Sequence, residues 1–201
     1  MTIDTIMKLA PVIPVIVIDD AAHARPIAEA LVAGGLFALE VTLRTPAALE
    51  AIAEMAKVKG AVVGAGTVLN EAQLDAATAA GARFIVSPGL TDRLGHAVRE
   101  RGSLWLPGIA NSGDIMRGLD LGLDHFKFFP AVASGGIAAL KALAAPFGMA
   151  RFCPTGGISA DTAADWLALP PVLCVGGSWM VPAGVPDVAA ITAAARRAAA
   201  L

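Results

Sequence analysis

Residues 37–57 read FALEVTLRTPAALEAIAEMAK and contain one complete strand, loop and helix. The first seven residues are apolar at every second position and include Phe, Val and Thr, which predicts a β-strand. Thr45-Pro46 then supplies a capping residue and a first-turn proline before an alanine-rich helix over 47–57. We expect the whole chain to be built from copies of this unit.

Similar apolar or β-branched runs recur along the sequence, each followed by a helix-like stretch with a polar start such as Asn70 or Asp187. The eight predicted strands cover 12–18, 37–43, 61–67, 83–87, 104–107, 125–129, 151–155 and 172–176. Because no linker or change of composition interrupts the repeat, the sequence predicts an α/β fold, a single (β/α)8 TIM barrel over 1–201.

A doubly wound open sheet is the main alternative fold. Its phosphate loop would place G-x-G-x-x-G after the first strand, where this chain has Asp19-Asp20. Gly64-Ala65-Gly66 follows the third strand, but Leu69 stands where the third glycine is needed. The barrel is therefore the favoured fold.

The composition excludes several classes of partner. The 201 residues are 56% hydrophobic and 16% charged with a net charge of −2, so neither nucleic acid nor a membrane surface is an expected partner. Prolines and glycines interrupt the uncharged stretch 166–186, which argues against a membrane span, and Asp4 argues against a signal peptide. We expect a cytoplasmic protein in which Cys153 and Cys174 are reduced core residues.

The second predicted strand carries an unusual polar face. Strand alternation places Glu40, Thr42 and Arg44 on one face, and the aliphatic residues on the other face are needed against the helices. Glu40 therefore points into the barrel, where a carboxylate is costly unless a partner or a reaction uses it. An inert buried ion pair is the alternative interpretation.

The sixth predicted strand, 125–130, reads HFKFFP and places Lys127 among three phenylalanines. Alternation sends Lys127 inward together with His125 and Phe129. Burial disfavours the ammonium form of a lysine, and a neutral amine attacks a ketone to form an imine, which serves as an electron sink. Lys127 could instead bind phosphate or neutralise Glu40.

The last two predicted strands end in small residues. Thr155-Gly156-Gly157 and Gly176-Gly177-Ser178 allow backbone N–H groups to approach an anion, and barrels commonly bind phosphate at these two loops. Thr67 adds a hydroxyl at the end of the third strand. These glycines could also serve tight packing alone.

Several catalytic signatures are missing. The chain has no tyrosine, no H-E-x-x-H, no G-x-S-x-G and no clustered metal ligands on its predicted strands. His23 and His96 fall on predicted helices and are interpreted as surface residues. These absences disfavour catalysis by a nucleophilic serine or by a metal-bound water.

Seven segments together resemble the 2-keto-3-deoxy-6-phosphogluconate (KDPG) aldolase family, also described as bifunctional 4-hydroxy-2-oxoglutarate aldolase. They occur in the family's order between residues 10 and 182: PVIV (14–17), LEVTLRT (39–45), VGAGTVL (63–69), SPGL (87–90), FKFFPA (126–131), RFCPTGGI (151–158) and VGGSW (175–179). The resemblance implies a metal-free class I aldolase on a (β/α)8 barrel, typically a homotrimer, that takes a small keto-acid phosphate and needs no cofactor.

The resemblance also implies a role for individual residues. Lys127 matches the Schiff-base lysine and Glu40 the general acid/base. Arg44 and Thr67 match residues that hold the substrate carboxylate, and Gly156, Gly157 and Ser178 match the phosphate site. Thr155 matches a position that contacts the hydroxyl chain of the substrate and helps to distinguish the gluconate substrate from its galactonate epimer. Phe129 matches an aromatic residue that lines the pocket.

The implied reaction is the reversible cleavage of KDPG to pyruvate and D-glyceraldehyde 3-phosphate, with 4-hydroxy-2-oxoglutarate as a further substrate. The loop 132–134 lacks an acidic residue often found in the family, and the chain after Trp179 is short. A 2-keto-3-deoxy-6-phosphogalactonate aldolase and a sugar-phosphate isomerase or epimerase barrel are the alternatives.

Overall fold

Eight parallel strands form one sheet in the computed structural model, which describes residues 1–201. The hydrogen-bonded order is β7-β6-β5-β4-β3-β2-β1-β8, and isolated bridges between Phe152 and Val172 and between Thr155 and Gly176 join the two outer strands. The strands are β1 Val12–Ile16, β2 Ala38–Thr42, β3 Val62–Gly66, β4 Phe84–Ser87, β5 Trp105–Ile109, β6 His125–Phe128, β7 Arg151–Pro154 and β8 Val175–Gly177. The predicted (β/α)8 barrel is confirmed.

Helices alternate with the strands around the outside of the barrel. They are α1 Ile3–Met7, α2 Ala24–Ala33, α3 Ala48–Met55, α4 Glu71–Ala79, α5 Asp92–Glu100, α6 Ser112–Asp120, α7 Gly136–Ala144, α8 Ala163–Leu167 and α9 Val188–Ala199, with a 3-10 turn at Ala21–His23. No helix is both long enough and apolar enough to cross a membrane.

Some helix starts follow the polar residues that the sequence offers as caps, and others do not. Asn70 and Asp187 each accept a backbone N–H bond at the start of α4 and α9, as the sequence predicts. Thr45 was predicted to cap the third helix, which was wrong. Its hydroxyl instead donates to the carbonyl of Ile18, and α3 begins three residues later without a side-chain cap.

The last strand also departs from its predicted bounds of 172–176. Two bridges join this segment to the seventh strand, one from Phe152 to Val172 and one from Thr155 to Gly176. Between these bridges the chain advances by three residues on the side of Phe152 and by four residues on the side of Val172. One extra residue therefore bulges out of the ladder, and regular pairing with β1 begins only at Val175.

Two apolar clusters fill the molecule. The larger lies between strands and helices and contains Phe126 and Phe128, so β6 has the alternation that the sequence predicts. The smaller occupies the amino-terminal half of the barrel interior, where Ile6 and Met7 of α1 pack with strand residues such as Ile13, Phe84 and Leu106. The barrel is thus closed at one end, and its carboxyl-terminal end carries the polar residues.

Candidate active site

Glu40 and Lys127 meet inside the barrel. They come from β2 and β6, which are four strands apart in either direction around an eight-stranded barrel, so the two side chains reach towards each other from opposite walls. Lys127 Nζ lies 2.9 Å from Glu40 Oε1 and 3.3 Å from Oε2. Lys127 is 6% exposed and Glu40 3% exposed, so water screens this ion pair little.

The two groups of the pair are in direct hydrogen-bond contact inside the barrel. The same contact gives the proton a short path from Nζ to the carboxylate. Glu40 is therefore placed to convert Lys127 into a nucleophile when a carbonyl compound arrives.

The surroundings of the amine are largely apolar. The ring centroid of Phe129 lies 5.4 Å from Lys127 Nζ, within the range of a cation–π contact. Cys153 is paired with Lys127 across β6 and β7, so its side chain also faces the interior. Glu40 is the one acidic group within ion-pair distance of the amine.

Thr155 follows β7 on the same face as Cys153, one level closer to the open end. Its side chain is buried, and its hydroxyl lies against the backbone of Gly176, whose missing side chain leaves the space for it. A Cβ at Gly176 would come within 2.8 Å of Thr155 Cγ2. The hydroxyl therefore occupies a fixed position beside the site.

Arg44 and Thr67 lie on neighbouring loops at the open end, because Leu43 N donates to Gly66 O at 2.8 Å. β2 ends at Thr42, one residue before its predicted end, and Arg44 lies in the turn that follows. Its guanidinium is exposed and forms no ion pair within the chain. Thr67 is the one non-glycine residue with a positive φ, 60°.

The two glycine-containing loops lie side by side. The bridge between Thr155 and Gly176 makes Gly157 and Ser178 neighbours at the ends of β7 and β8. Gly156 and Gly157 have φ of 103° and 80°, a region that favours glycine. The backbone N–H groups of Gly156, Gly157 and Ser178 donate to no protein acceptor, so the loops offer three free donors for an anion.

Two thiols line the interior beneath the ion pair. Cys153 and Cys174 are free and buried. A hydrogen bond to Cys153 raises the pKa of the Cys174 thiol well above its ordinary value, and burial and the Glu40 charge act in the same direction. The sequence correctly predicted that both cysteines are core residues, but it did not predict that they lie next to the site. Strand alternation gave one signal, since Cys153 is two residues from Thr155 and therefore faces the same side of the sheet.

The site contains no arrangement of metal ligands. No group of three or more His, Cys, Asp or Glu side chains in the structure could hold a metal ion. His125, which the sequence placed inward, lies at the opposite end of β6, where its ring nitrogens contact Asp124 and Asp4.

Comparison with known proteins gives concordant results. The family model for KDPG and KHG aldolase matches residues 3–194. The 2-dehydro-3-deoxy-phosphogluconate aldolase of Zymomonas mobilis is 64% identical over 199 residues, which cover 98% of this chain and 95% of that protein.

Two solved structures have nearly the same fold. The 2-keto-3-deoxy-6-phosphogluconate aldolase of Zymomonas mobilis ZM4 with 3-phosphoglycerate has a TM-score of 0.97 and 62% identity, covering 98% of this chain and 94% of that one. The KDPG aldolase of Legionella pneumophila, with pyruvate captured at low pH as a covalent carbinolamine intermediate, has a TM-score of 0.94 and 44% identity, covering 98% and 97%. The fold, the buried amine and these matches together show that this chain belongs to the KDPG and KHG aldolase family.

Proposed function

We propose that this chain is a class I aldolase that reversibly cleaves KDPG to pyruvate and D-glyceraldehyde 3-phosphate and also acts on 4-hydroxy-2-oxoglutarate. The observation that carries the proposal is the contact between Lys127 Nζ and Glu40 in an enclosed interior. An amine that can lose its proton to an adjacent carboxylate is the group that imine formation requires. The carbinolamine captured in the Legionella pneumophila aldolase is an intermediate of the same chemistry.

The reaction begins when Glu40 accepts a proton from Lys127 and the free amine attacks C2 of the keto acid. The resulting carbinolamine loses its hydroxyl group as water, and Glu40 returns the proton that this step needs. A protonated imine now joins Lys127 to the substrate. Each step moves one proton within reach of the same carboxylate, which is why a single acid/base residue is sufficient.

Carbon–carbon cleavage follows from the imine. Glu40 removes the proton of the C4 hydroxyl, the C3–C4 bond breaks, and its electron pair passes to C3 and the imine nitrogen as an enamine. The aldehyde formed at C4 leaves as D-glyceraldehyde 3-phosphate. Protonation of C3 by Glu40 and addition of water to the imine then release pyruvate and restore the amine.

The open end of the barrel supplies the binding groups. In the proposal Arg44 binds the substrate carboxylate with two parallel N–H bonds, and Thr67 adds a hydroxyl. The free N–H groups of Gly156, Gly157 and Ser178 bind the phosphate. Thr155 contacts the hydroxyl chain of the sugar acid, and Phe129 lines the pocket beside the imine.

The assembly and the setting of the enzyme belong to the same proposal. We expect one barrel domain over 1–201, a homotrimer in solution and a cytoplasmic location, with the resemblance to the family as the support. Light scattering after gel filtration measures the subunit number directly.

A coupled assay for pyruvate release tests the proposed reaction. The enzyme is incubated in parallel with KDPG and with its C4 epimer, and pyruvate is measured with lactate dehydrogenase and NADH. The proposal expects release from KDPG at the higher kcat/KM. Preference for the epimer would make the chain a galactonate-type aldolase, and no release from either would refute the aldolase assignment.

A further inference from the structure

Gly66 lies next to the Glu40 carboxylate, in the space where a side chain would be. If a Cβ were added to Gly66, it would lie 2.8 Å from Glu40 Cγ and 2.9 Å from Cδ, and closer still to Oε1. Real Cβ atoms essentially never show contacts below 3.0 Å. The carboxylate therefore occupies the volume that any residue larger than glycine would fill.

Strand geometry explains why this position matters. Gly66 is paired with Thr42 across β2 and β3, so it faces the interior on the same side as Glu40, one level nearer the open end. The Glu40 side chain rises from β2, leans across the backbone of Gly66 and from there reaches Lys127. Gly66 is fully enclosed, and its φ is outside the left-handed region, so backbone conformation does not explain the glycine.

We propose that Gly66 is a positioning residue. Because it has no side chain, the Glu40 carboxylate can occupy the position from which it exchanges protons with Lys127. This inference rests on the proposed function, since it assigns Gly66 a part in the same reaction. Gly66 itself touches no substrate. It acts through Glu40, by leaving open the position that the carboxylate occupies.

A matched control exists two residues away on the same strand and the same face. The three atoms nearest to a Cβ at Gly64 would all belong to the ring of Phe84, and this ring is fully buried. Gly64→Ala therefore overpacks the interior first against Phe84, whereas Gly66→Ala does so first against the Glu40 side chain, although Gly64 is itself paired with Glu40 along the strands. Any effect that Gly66→Ala shares with Gly64→Ala is general overpacking.

The first arm of the test is a stability cycle that does not depend on activity. The free energy of unfolding in urea is measured for Gly66→Ala in three backgrounds: wild type, Glu40→Gln and Glu40→Ala. Glutamine keeps the shape of Glu40 and alanine removes it. We expect Gly66→Ala to lower stability in the first two backgrounds and to have no cost in Glu40→Ala, while Gly64→Ala lowers stability equally in all three.

The second arm measures catalysis in folded enzyme. Displacing the carboxylate by about 1 Å is expected to lower kcat by about 100-fold. KM for KDPG should change little, because Arg44 and the glycine loops are untouched. Gly64→Ala should keep kcat near the wild-type value once the folded fraction is corrected for. If Gly66→Ala alone does not fold, folding of the Gly66→Ala/Glu40→Ala double variant supports the proposal and failure of both contradicts it.

The two arms separate failure of this inference from failure of the proposed function. An equal cost of Gly66→Ala in all three backgrounds, or a kcat like that of Gly64→Ala, overturns the positioning role of Gly66. If wild-type enzyme releases no pyruvate from KDPG, the proposed function fails and the catalytic role of Gly66 fails with it. The stability cycle then still decides whether Gly66 holds the carboxylate.

Discussion

Lys127 Nζ lies 2.9 Å from Glu40 Oε1 although the two residues are 87 positions apart in the chain. The contact exists because β2 and β6 face each other across the closed sheet and because both side chains point inward. A buried pair of this kind costs desolvation energy that an apolar pair would not. Its presence is explained by the reaction that we propose for it.

Removal of one member of the pair should destabilise the fold. Lys127→Met leaves the Glu40 carboxylate buried without its partner, which is expected to cost about 3–5 kcal/mol of unfolding free energy. The double variant Lys127→Met/Glu40→Leu removes both charges and should recover most of this loss. Urea unfolding measures both variants, and a double variant no more stable than the single one would contradict a direct coupling.

Glu40→Gln should separate imine formation from proton transfer. The amide keeps the shape of the side chain but cannot accept a proton, so kcat should fall by about 100-fold to 10,000-fold. Borohydride should still trap some pyruvate on the enzyme, more slowly than in wild type. Steady-state assays and intact-mass measurements give the two results, and wild-type turnover in Glu40→Gln would remove Glu40 from the mechanism.

Arg44 should affect substrate binding and leave stability unchanged. Because its guanidinium is exposed and has no partner in the chain, Arg44→Lys should change the unfolding free energy by no more than about 0.5 kcal/mol. KM for KDPG should rise, since a lysine cannot form two parallel bonds to a carboxylate. An unchanged KM would exclude Arg44 from the carboxylate site.

The two interior cysteines should be unreactive in the folded enzyme. The contact with Cys153, burial and the Glu40 charge raise the pKa of Cys174, so little thiolate forms near pH 8. Ellman's reagent should label no thiol in native protein and two in urea. Because the pKa of Cys174 is higher in the folded than in the unfolded protein, keeping this thiol protonated contributes to the free energy of unfolding. The contribution is complete below the pKa of the unfolded thiol and is lost as the pH rises through the folded pKa. Rapid labelling of native enzyme would contradict this environment.

Prolonged treatment with a chelator such as EDTA should leave kcat unchanged. The proposed electron sink is an imine on Lys127, which needs no metal ion. Assays before and after chelation, followed by addition of zinc or magnesium, test this expectation. Activity that is lost on chelation and restored by a metal would favour a metal-dependent aldolase.

The sequence predicted the parts of the site that strand alternation controls. An acidic residue and a lysine flanked by apolar neighbours on short strands could be assigned to the barrel interior, and the structure places them there. Their distance could not be predicted, because it depends on the closure of the sheet and on how far each side chain leans. The packing of Glu40 against Gly66 depends on the direction of the Glu40 side chain, and the only sign of it in the sequence is the glycine at position 66.

The errors arose where local rules gave way to tertiary contacts. Thr45 does not cap the third helix, because its hydroxyl donates to the carbonyl of Ile18 on a neighbouring segment. The start of β8 was misplaced by a bulge that apolar periodicity does not reveal. Helix α1 was not predicted, since only the closed barrel offers Ile6 and Met7 a surface to cover.

Reductive trapping of pyruvate tests the central claim most directly. Enzyme is mixed with pyruvate and borohydride, digested and mapped by mass spectrometry. We predict one stable reduced pyruvate adduct, located on the peptide that contains Lys127, with loss of KDPG cleavage in proportion to labelling and no adduct in Lys127→Met. An active enzyme that stays unlabelled, or an adduct at another lysine that abolishes activity, would contradict the imine mechanism.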